Sequence, residues 1–561
     1  MANNFDMRKN DLLDMASYKL PEKGKISRIF DAIPKIIGST GFNIFDYEKI
    51  FQDEETRRII REGETIGCFY IESPGMRSLL RRLSCDTFEM LVAASSVIRP
   101  GVAESGMMKE FIERHKNPSR RKYLIPEMEK YLGETYGVMV YQEDVIKVAH
   151  HIVGLTLEEA DFLRRAMSGK MRSRKAMQLI TDKFFASCRE RGYPGNVASE
   201  LWKQIESFAG YAFCKAHSAS FALLSFQVAY LKAHYPAEFL AAVLSNQGGY
   251  YSAAVYIWEA RRMGIKVLLP SVNLSAYEYT GGGNEIRIGL MAIRNIEENS
   301  ARRIIGERGK GGEYKSLHDF LARTGTGYKQ SETMIKCGAM DCFGGTRPAL
   351  LRMLDVYFSS RKLITENEKD LFFDNMVKLA DEVATPLEFS REETGISEYE
   401  AFGYMVTYHP LEFFEEETGR EGIVKANRMH LFNNRRVKMI GWYMASKRIK
   451  TSKGDIMKFL SLEDLTGTFE AVLFPKSYGR YAELTLSMGP YLIEGIIDSS
   501  GGNNVIVEKL SLLSSEKARA ITEKEGNENK FFGDSDNPAS YEEIVMINSL
   551  DKEKLLTAYV G

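Results

Sequence analysis

Eight arginines and lysines and one histidine stand beside rigid turns or in a run without acids. Arg99 lies in Val97-Ile98-Arg99-Pro100-Gly101, where proline fixes the backbone that follows it. Arg164, Arg165, Lys170, Arg172, Arg174 and Lys175 fall between Phe162 and Lys175, a stretch with no Asp or Glu. Lys215 and His217 lie in Gly210-Tyr211-Ala212-Phe213-Cys214-Lys215-Ala216-His217-Ser218. Cations clustered in this way suit phosphate binding. Ser218 is read as the N-cap of the apolar run Ala219 to His234, so free backbone N–H groups would point at Lys215 and His217. Each piece also has a plain structural reading: a solvated helix end for the basic run, a capped turn with a hydrogen-bonded histidine for 210–218. On the acidic side, Asp11 has only Asp14 close by and reads as a cap or surface carboxylate. Metal-dependent phosphoryl transfer needs several carboxylates converging on two Mg2+ ions.

The elements that must place these groups are mostly helical between 61 and 250. Phe88 to Ile98 is apolar and ends at the Arg-Pro-Gly turn. Tyr141 to Val153 is amphipathic. Leu157 to Met167 carries Glu158, Glu159 and Asp161 near its start and Arg164 and Arg165 near its end, which complements the helix dipole. Val197, Leu201, Ile205 and Phe208 form a helical stripe, and Pro236 fits the first turn of a helix over Ala237 to Leu244. Upstream, Asp46 to Arg61 is helical, with Glu54 and Glu55 spaced to pair with Arg57 and Arg58. Residues 1–60 read as the end of a domain rather than a whole one.

After 250 the pattern changes. Ile265 to Pro270 and Glu285 to Leu290 are strand-like around the turn Gly281-Gly282-Gly283-Asn284, followed by a helix over Glu297 to Glu307 and two small helix–turn–helix units. Residues 435–512 alternate as strands, with runs at Val437–Tyr443, Met457–Leu462, Thr468–Phe474 and Tyr491–Ile497. Five or so strands in so short a stretch point to a small barrel of the OB type.

At 561 residues the chain is long enough for three to four domains, and 44% hydrophobic with 27% charged residues is ordinary for a globular protein. A net charge of −1 argues against a uniformly basic nucleic-acid binder but not against a local patch. No run of about 18 apolar residues predicts a membrane span. The first residues lack the basic start and apolar core of a signal peptide. Six scattered cysteines, with Cys337 and Cys342 spaced CxxxxC and no His nearby, read as buried free thiols of a cytoplasmic protein.

Taken in order, several stretches resemble the α subunit of bacterial DNA polymerase III, a C-family polymerase. They are Gly67 to Met76, Arg99-Pro100-Gly101, Thr135-Tyr136-Gly137 with Tyr141-Gln142-Glu143, Ala160 to Met167, Gly210 to Ser218, and Leu231 to Phe239. Ser245 to Ser252 with Ala260-Arg261-Arg262 resembles the error-prone branch.

The resemblance implies a multidomain α+β protein: a palm remnant at 1–60, mainly helical fingers at 61–250, strands and helix–hairpin–helix units at 251–350. A helical connector at 351–430, an OB-fold at 431–512 and a polar tail at 513–561 complete it. It implies DNA-directed DNA polymerase activity, adding dNTP to a primer 3′-OH on primed template DNA with Mg2+. Arg99, Arg164, Arg165, Lys170, Lys215 and His217 would hold nucleotide phosphate, and Arg172, Arg174, Lys175 and Arg294 would hold DNA. Asp11 falls where the third catalytic, metal-binding aspartate would lie, though Asn10, Asp14 and Met15 replace the family's usual neighbours. A separately encoded palm is expected to bring the other aspartates, and the isolated chain to be inactive. Leu371 and Phe372, in Glu368 to Phe372, sit where the family carries its sliding-clamp peptide, with Glu368 in place of Gln. Asn295-Ile296-Glu297 lacks the hairpin glycines that let backbone approach phosphate, so a weaker DNA contact is expected there. The alternative is a remnant that binds DNA or the clamp and catalyses nothing. An unrelated RNA-binding OB protein would explain only the C-terminal part.

Overall fold

The computed structural model describes residues 43–98, 106–167, 174–209, 213–247, 249–361, 387–451, 453–498 and 502–513. Asp11, Arg99, Lys170, Arg172, Leu371 and Phe372 lie outside them. The chain divides into two compact units, with the main boundary between His234 and Tyr235.

The first unit is helical. The helix expected over Asp46 to Arg61 is two, Tyr47–Gln52 and Glu54–Arg61, because Asp53 ends one and caps the other by accepting from Thr56 N–H at 2.8 Å. The spaced ion pairs form, Glu55 with Arg58 at 2.8 Å and Glu54 with Arg57 at 3.6 Å. Ser73 caps Pro74–Leu83 and Thr87 caps Phe88–Val97. Gln142–Lys147 runs on as a π-helical stretch, Val148–Val153, which stops at Gly154 in the left-handed region (φ 94°). Leu157–Met167, Arg174–Glu190 and Gly195–Ala209 follow, with Leu163, Phe184, Leu201 and Ile205 fully buried in one core. The helix Lys215–His234 is buried along most of its length and packs on Phe88–Val97, where the Ser218 and Ser96 hydroxyls meet at 2.7 Å.

In the second unit, helix Pro236–Asn246 lies against a three-stranded sheet of β1 (Lys266–Leu268), β2 (Thr280–Gly282) and β3 (Glu285–Arg287), ordered β1-β3-β2. The approach is close: a Cβ at Gly281 would stand 2.2 Å from the Ala237 carbonyl. Four helices follow, Glu298–Gly311, Leu317–Thr324, Tyr328–Lys336 and Arg347–Arg361, joined by tight turns. The turn before the first is made by Asn295 at φ 65°. Asparagine is among the few residues that tolerate this region, so the hairpin keeps its bend without the expected glycine.

Five strands close a barrel: β4 (Arg436–Lys450), β5 (Ile456–Asp464), β6 (Gly467–Leu473), β7 (Tyr491–Asp498) and β8 (Asn504–Leu512). Their order is β4-β5-β6-β8-β7, with β6 and β8 parallel and every other pair antiparallel, and helix Pro475–Tyr481 between β6 and β7. This is an OB-fold. Leu460, Leu462, Ile493 and Val505 fill its interior, each burial contributing about 1.5–3 kcal/mol.

Candidate functional site

The loop Gly67 to Ser73 is anchored from several sides before it presents anything. Glu72 accepts from Gly67 N–H at 2.9 Å, and Thr65 Oγ1 donates to the Ile71 carbonyl at 2.6 Å. From the buried helix, Ser225 donates to the Phe69 carbonyl at 3.1 Å. Lys232 Nζ donates to the Glu64 and Ile66 carbonyls at 2.8 and 2.9 Å. Held in this way, Tyr70 adopts φ 68° and stacks on Phe221 at 4.8 Å. Phe221 in turn meets His217 edge-on at 4.5 Å, and His217 meets Phe213 at 5.2 Å. The result is a half-exposed aromatic strip with the exposed His217 ring in it.

Beside the strip, Tyr141-Gln142-Glu143 is stitched to Phe213: Gln142 N–H donates to the Phe213 carbonyl at 2.9 Å, and Phe213 N–H to the Val140 carbonyl at 3.3 Å. Asp144 fixes this segment by accepting from Val140 and Tyr141 N–H at 3.1 and 2.9 Å. Burial pushes its carboxyl up to about 7, against those two hydrogen bonds, which favour the charged form.

Lys215 begins its helix rather than preceding it. Its N–H donates to Glu143 at 3.1 Å, so a carboxylate already occupies the anion position at this helix start. Its ammonium is 2.6 Å from Glu134 and 5.1 Å from the Tyr141 ring, with the side chain 9% exposed. Ser218 is therefore not the cap; it lies inside the first turn, buried against Ser96.

The two arginines of Leu157–Met167 share one acid. Arg164 gives Nε and Nη2 to Asp161 at 3.0 and 2.7 Å and Nη1 to Gln142 at 2.9 Å. Arg165 gives Nε to the other Asp161 oxygen at 3.0 Å while staying 52% exposed. The basic run is thus not without an acidic partner. Asp161, one residue ahead of the stretch, supplies it at i,i+3 and i,i+4 spacing. Gln142 joins Arg164 to Phe213, Glu143 holds the start of the Lys215 helix, and Arg165 and His217 lie one step further out, on Asp161 and Phe213.

Lys175 is exposed at the start of the helix Arg174–Glu190, which also carries Arg174. Arg294 lies in the second unit. Its N–H donates to the Ala401 carbonyl at 2.7 Å, and its guanidinium packs over Tyr399 and against Gly403. Phe221, Glu134 and Asp144 join the site without a signal of their own in the sequence, and Tyr70 does so from within the Gly67 to Met76 stretch. Glu134 is 81 residues from Lys215, a distance at which no local spacing rule operates.

Among the described residues no group of three His, Cys, Asp or Glu side chains fits a metal ion, and no helix is long and apolar enough to cross a membrane. None of the six cysteines is in a disulfide. Four are buried, whereas Cys342 is exposed and Cys214 half-buried, so the expectation of buried thiols holds for four. Burial pushes the Cys337 thiol up to about 12, which keeps it protonated and inert.

The described residues thus comprise a helical unit with grouped cations and a second unit with a small sheet, paired helices and an OB barrel. The model of the bacterial DNA polymerase III α subunit finger domain matches residues 22–192, and that of a helix–hairpin–helix motif matches 264–350. The chain belongs to the bacterial DNA polymerase III α-subunit family. It is 34% identical over 535 residues to the error-prone DNA polymerase of Symbiobacterium thermophilum, covering 87% of this chain and 49% of that protein. It is 37% identical over 452 residues to the DNA polymerase III α subunit of Thermus aquaticus, covering 77% of this chain and 36% of that protein. For the α subunit of Aquifex aeolicus the identity is 34% over 462 residues, with 82% and 38% covered. The chain spans about half or less of the length of these relatives.

Proposed function

We propose that this chain is the nucleotide- and DNA-binding part of a DNA-directed DNA polymerase, used in replication or error-prone repair synthesis. The observation that carries the proposal is the meeting of Arg164 and Lys215 at the Tyr141–Glu143 segment, with Arg165 beside Arg164 on Asp161 and His217 beside Phe213, in a chain of this family. The basic side chains hold the triphosphate of an incoming dNTP, and the stacked Tyr70 and Phe221 rings give its base a flat apolar neighbour. Of the two arginines, Arg165 has more surface to offer a phosphate, while Arg164 braces it through Asp161 and Gln142. Arg99 and Lys170 belong to the same set by family position.

Residues 61–250 then serve as fingers, 251–350 as the duplex-gripping hairpin region with Arg294 bracing the hairpin turn, and 431–512 as the domain near single-stranded template. The basic residues Arg172, Arg174 and Lys175 contact template backbone. The helical connector, 351–430, carries the clamp peptide at Leu371 and Phe372. Chemistry of this class uses Mg2+, and the described residues do not form its site. Asp11 is one of its ligands in this proposal, and a separately encoded palm brings the rest. The protein works in the cytoplasm, on primed template.

Primer extension tests this division of labour. The chain with a palm-bearing partner is expected to extend a primer, and neither alone; robust synthesis by the chain alone rejects the split. A second proposal, DNA or clamp binding without catalysis, draws on one observation: Arg164, Arg165 and Lys215 are each paired to an internal carboxylate. Tight DNA binding with no extension under any pairing would favour it.

A further inference from the structure

We infer that Glu134 is the internal counter-anion that a nucleotide phosphate displaces from Lys215, so that Glu134 sets how tightly the site takes polyphosphate. The inference rests on the proposal that Lys215 is a phosphate ligand. The two ends of the pair differ in freedom. The Lys215 side chain is 9% exposed, its helix start is tied to Glu143, and its ammonium lies beside the Tyr141 ring. It has little room to swing away. The Glu134 side chain is 41% exposed and belongs to a single 3-10 turn, Gly133–Thr135, which ends at Tyr136 and Gly137 in the left-handed region. Its carboxylate can turn into water while the ammonium stays in place.

A second observation concerns Tyr141, whose ring lies beside the Lys215 ammonium. Tyr141 is 1% exposed, yet its hydroxyl has no hydrogen-bond partner among the described residues. A buried hydroxyl is costly to leave unpaired. A phosphate oxygen entering between Glu134 and Lys215 would come to a ring whose hydroxyl still has a hydrogen bond to give. Removing the competing carboxylate should therefore strengthen anion binding, while removing the ammonium should abolish the gain.

The test is calorimetric titration of the full chain with inorganic tripolyphosphate in EDTA. Glu134→Gln is expected to bind roughly two- to fivefold tighter than the parent, the range for an ion pair open to solvent on one side. Glu134→Asp, with a shorter reach, should fall between them. Glu129→Gln removes a nearby charge without touching Lys215 and should leave affinity as it was. Adding Lys215→Ala to Glu134→Gln should cancel the gain. If Lys215→Ala alone weakens binding but neither Glu134 variant tightens it, the role of Glu134 is overturned and the phosphate reading stands. If Lys215→Ala leaves binding unchanged, that reading falls and the role of Glu134 with it. An equal gain from Glu129→Gln would reduce the effect to net charge and also overturn the proposal.

Discussion

Asp144 holds the segment at which Arg164 and Lys215 meet, and it does so as a buried carboxyl. With its folded value at about 7 and an ordinary one of 3.8, the folded state binds the proton more tightly than the unfolded state. Stability from this group is therefore greatest at low pH, falls as pH rises from about 4 to 7, and is level above that. A rise of that size amounts to a loss on the order of 4 kcal/mol across the window. Asp144→Asn keeps a carbonyl for the Val140 and Tyr141 N–H groups and cannot ionise. Urea unfolding at several pH values should show the pH slope flattened and the variant more stable than the parent at pH 8. An unchanged slope would remove Asp144 as its source. Among the site residues, those legible in the sequence are the ones whose own type announces charge: Lys215, His217 and the arginines. Asp161 is within reach of the same spacing rule that pairs Glu54 with Arg57. Glu134 is not, because the fold alone brings it to Lys215.

At the scale of elements, two turns show how conformation rather than composition fixes the geometry. The loop bearing Tyr70 depends on Lys232, buried in the central helix and donating to two carbonyls of the preceding segment. Lys232→Met would leave both carbonyls without that donor and should cost about 1–3 kcal/mol in urea unfolding. A loss near zero would mean that the loop holds itself. The hairpin turn depends on Asn295 at φ 65°. Asn295→Val should destabilise by about 1–2 kcal/mol, because a branched side chain resists the left-handed region, whereas Asn295→Gly should be neutral. Equal effects from the two would contradict a conformational role.

Long periodic runs are the most legible elements: Leu157–Met167 has the expected bounds, and four of the five barrel strands match their alternating runs. The strand Asn504–Leu512 does not stand out as a separate run, since Glu508 and Lys509 interrupt its alternation. The helix Lys215–His234 starts earlier than its apolar run suggests, because its acceptor, Glu143, comes from a distant part of the chain.

On the scale of the molecule, the first unit carries the cations and the aromatic strip, and the second carries the hairpins and the barrel. The barrel is legible from strand spacing and glycine turns. The arrangement of the helical unit is not, because contacts such as Ser96 with Ser218 and Arg164 with Gln142 join segments far apart in sequence. The central claim is that the first unit holds a nucleoside triphosphate for template-directed synthesis. Titration of the full chain with dATP in the presence of primed DNA tests it most directly, comparing the parent with Arg165→Ala. Saturable dATP binding is expected, weakened about tenfold by the substitution as for loss of one charge-assisted contact, with affinity for primed DNA unchanged. Absence of saturable dATP binding, or equal weakening of dATP and DNA, would contradict it.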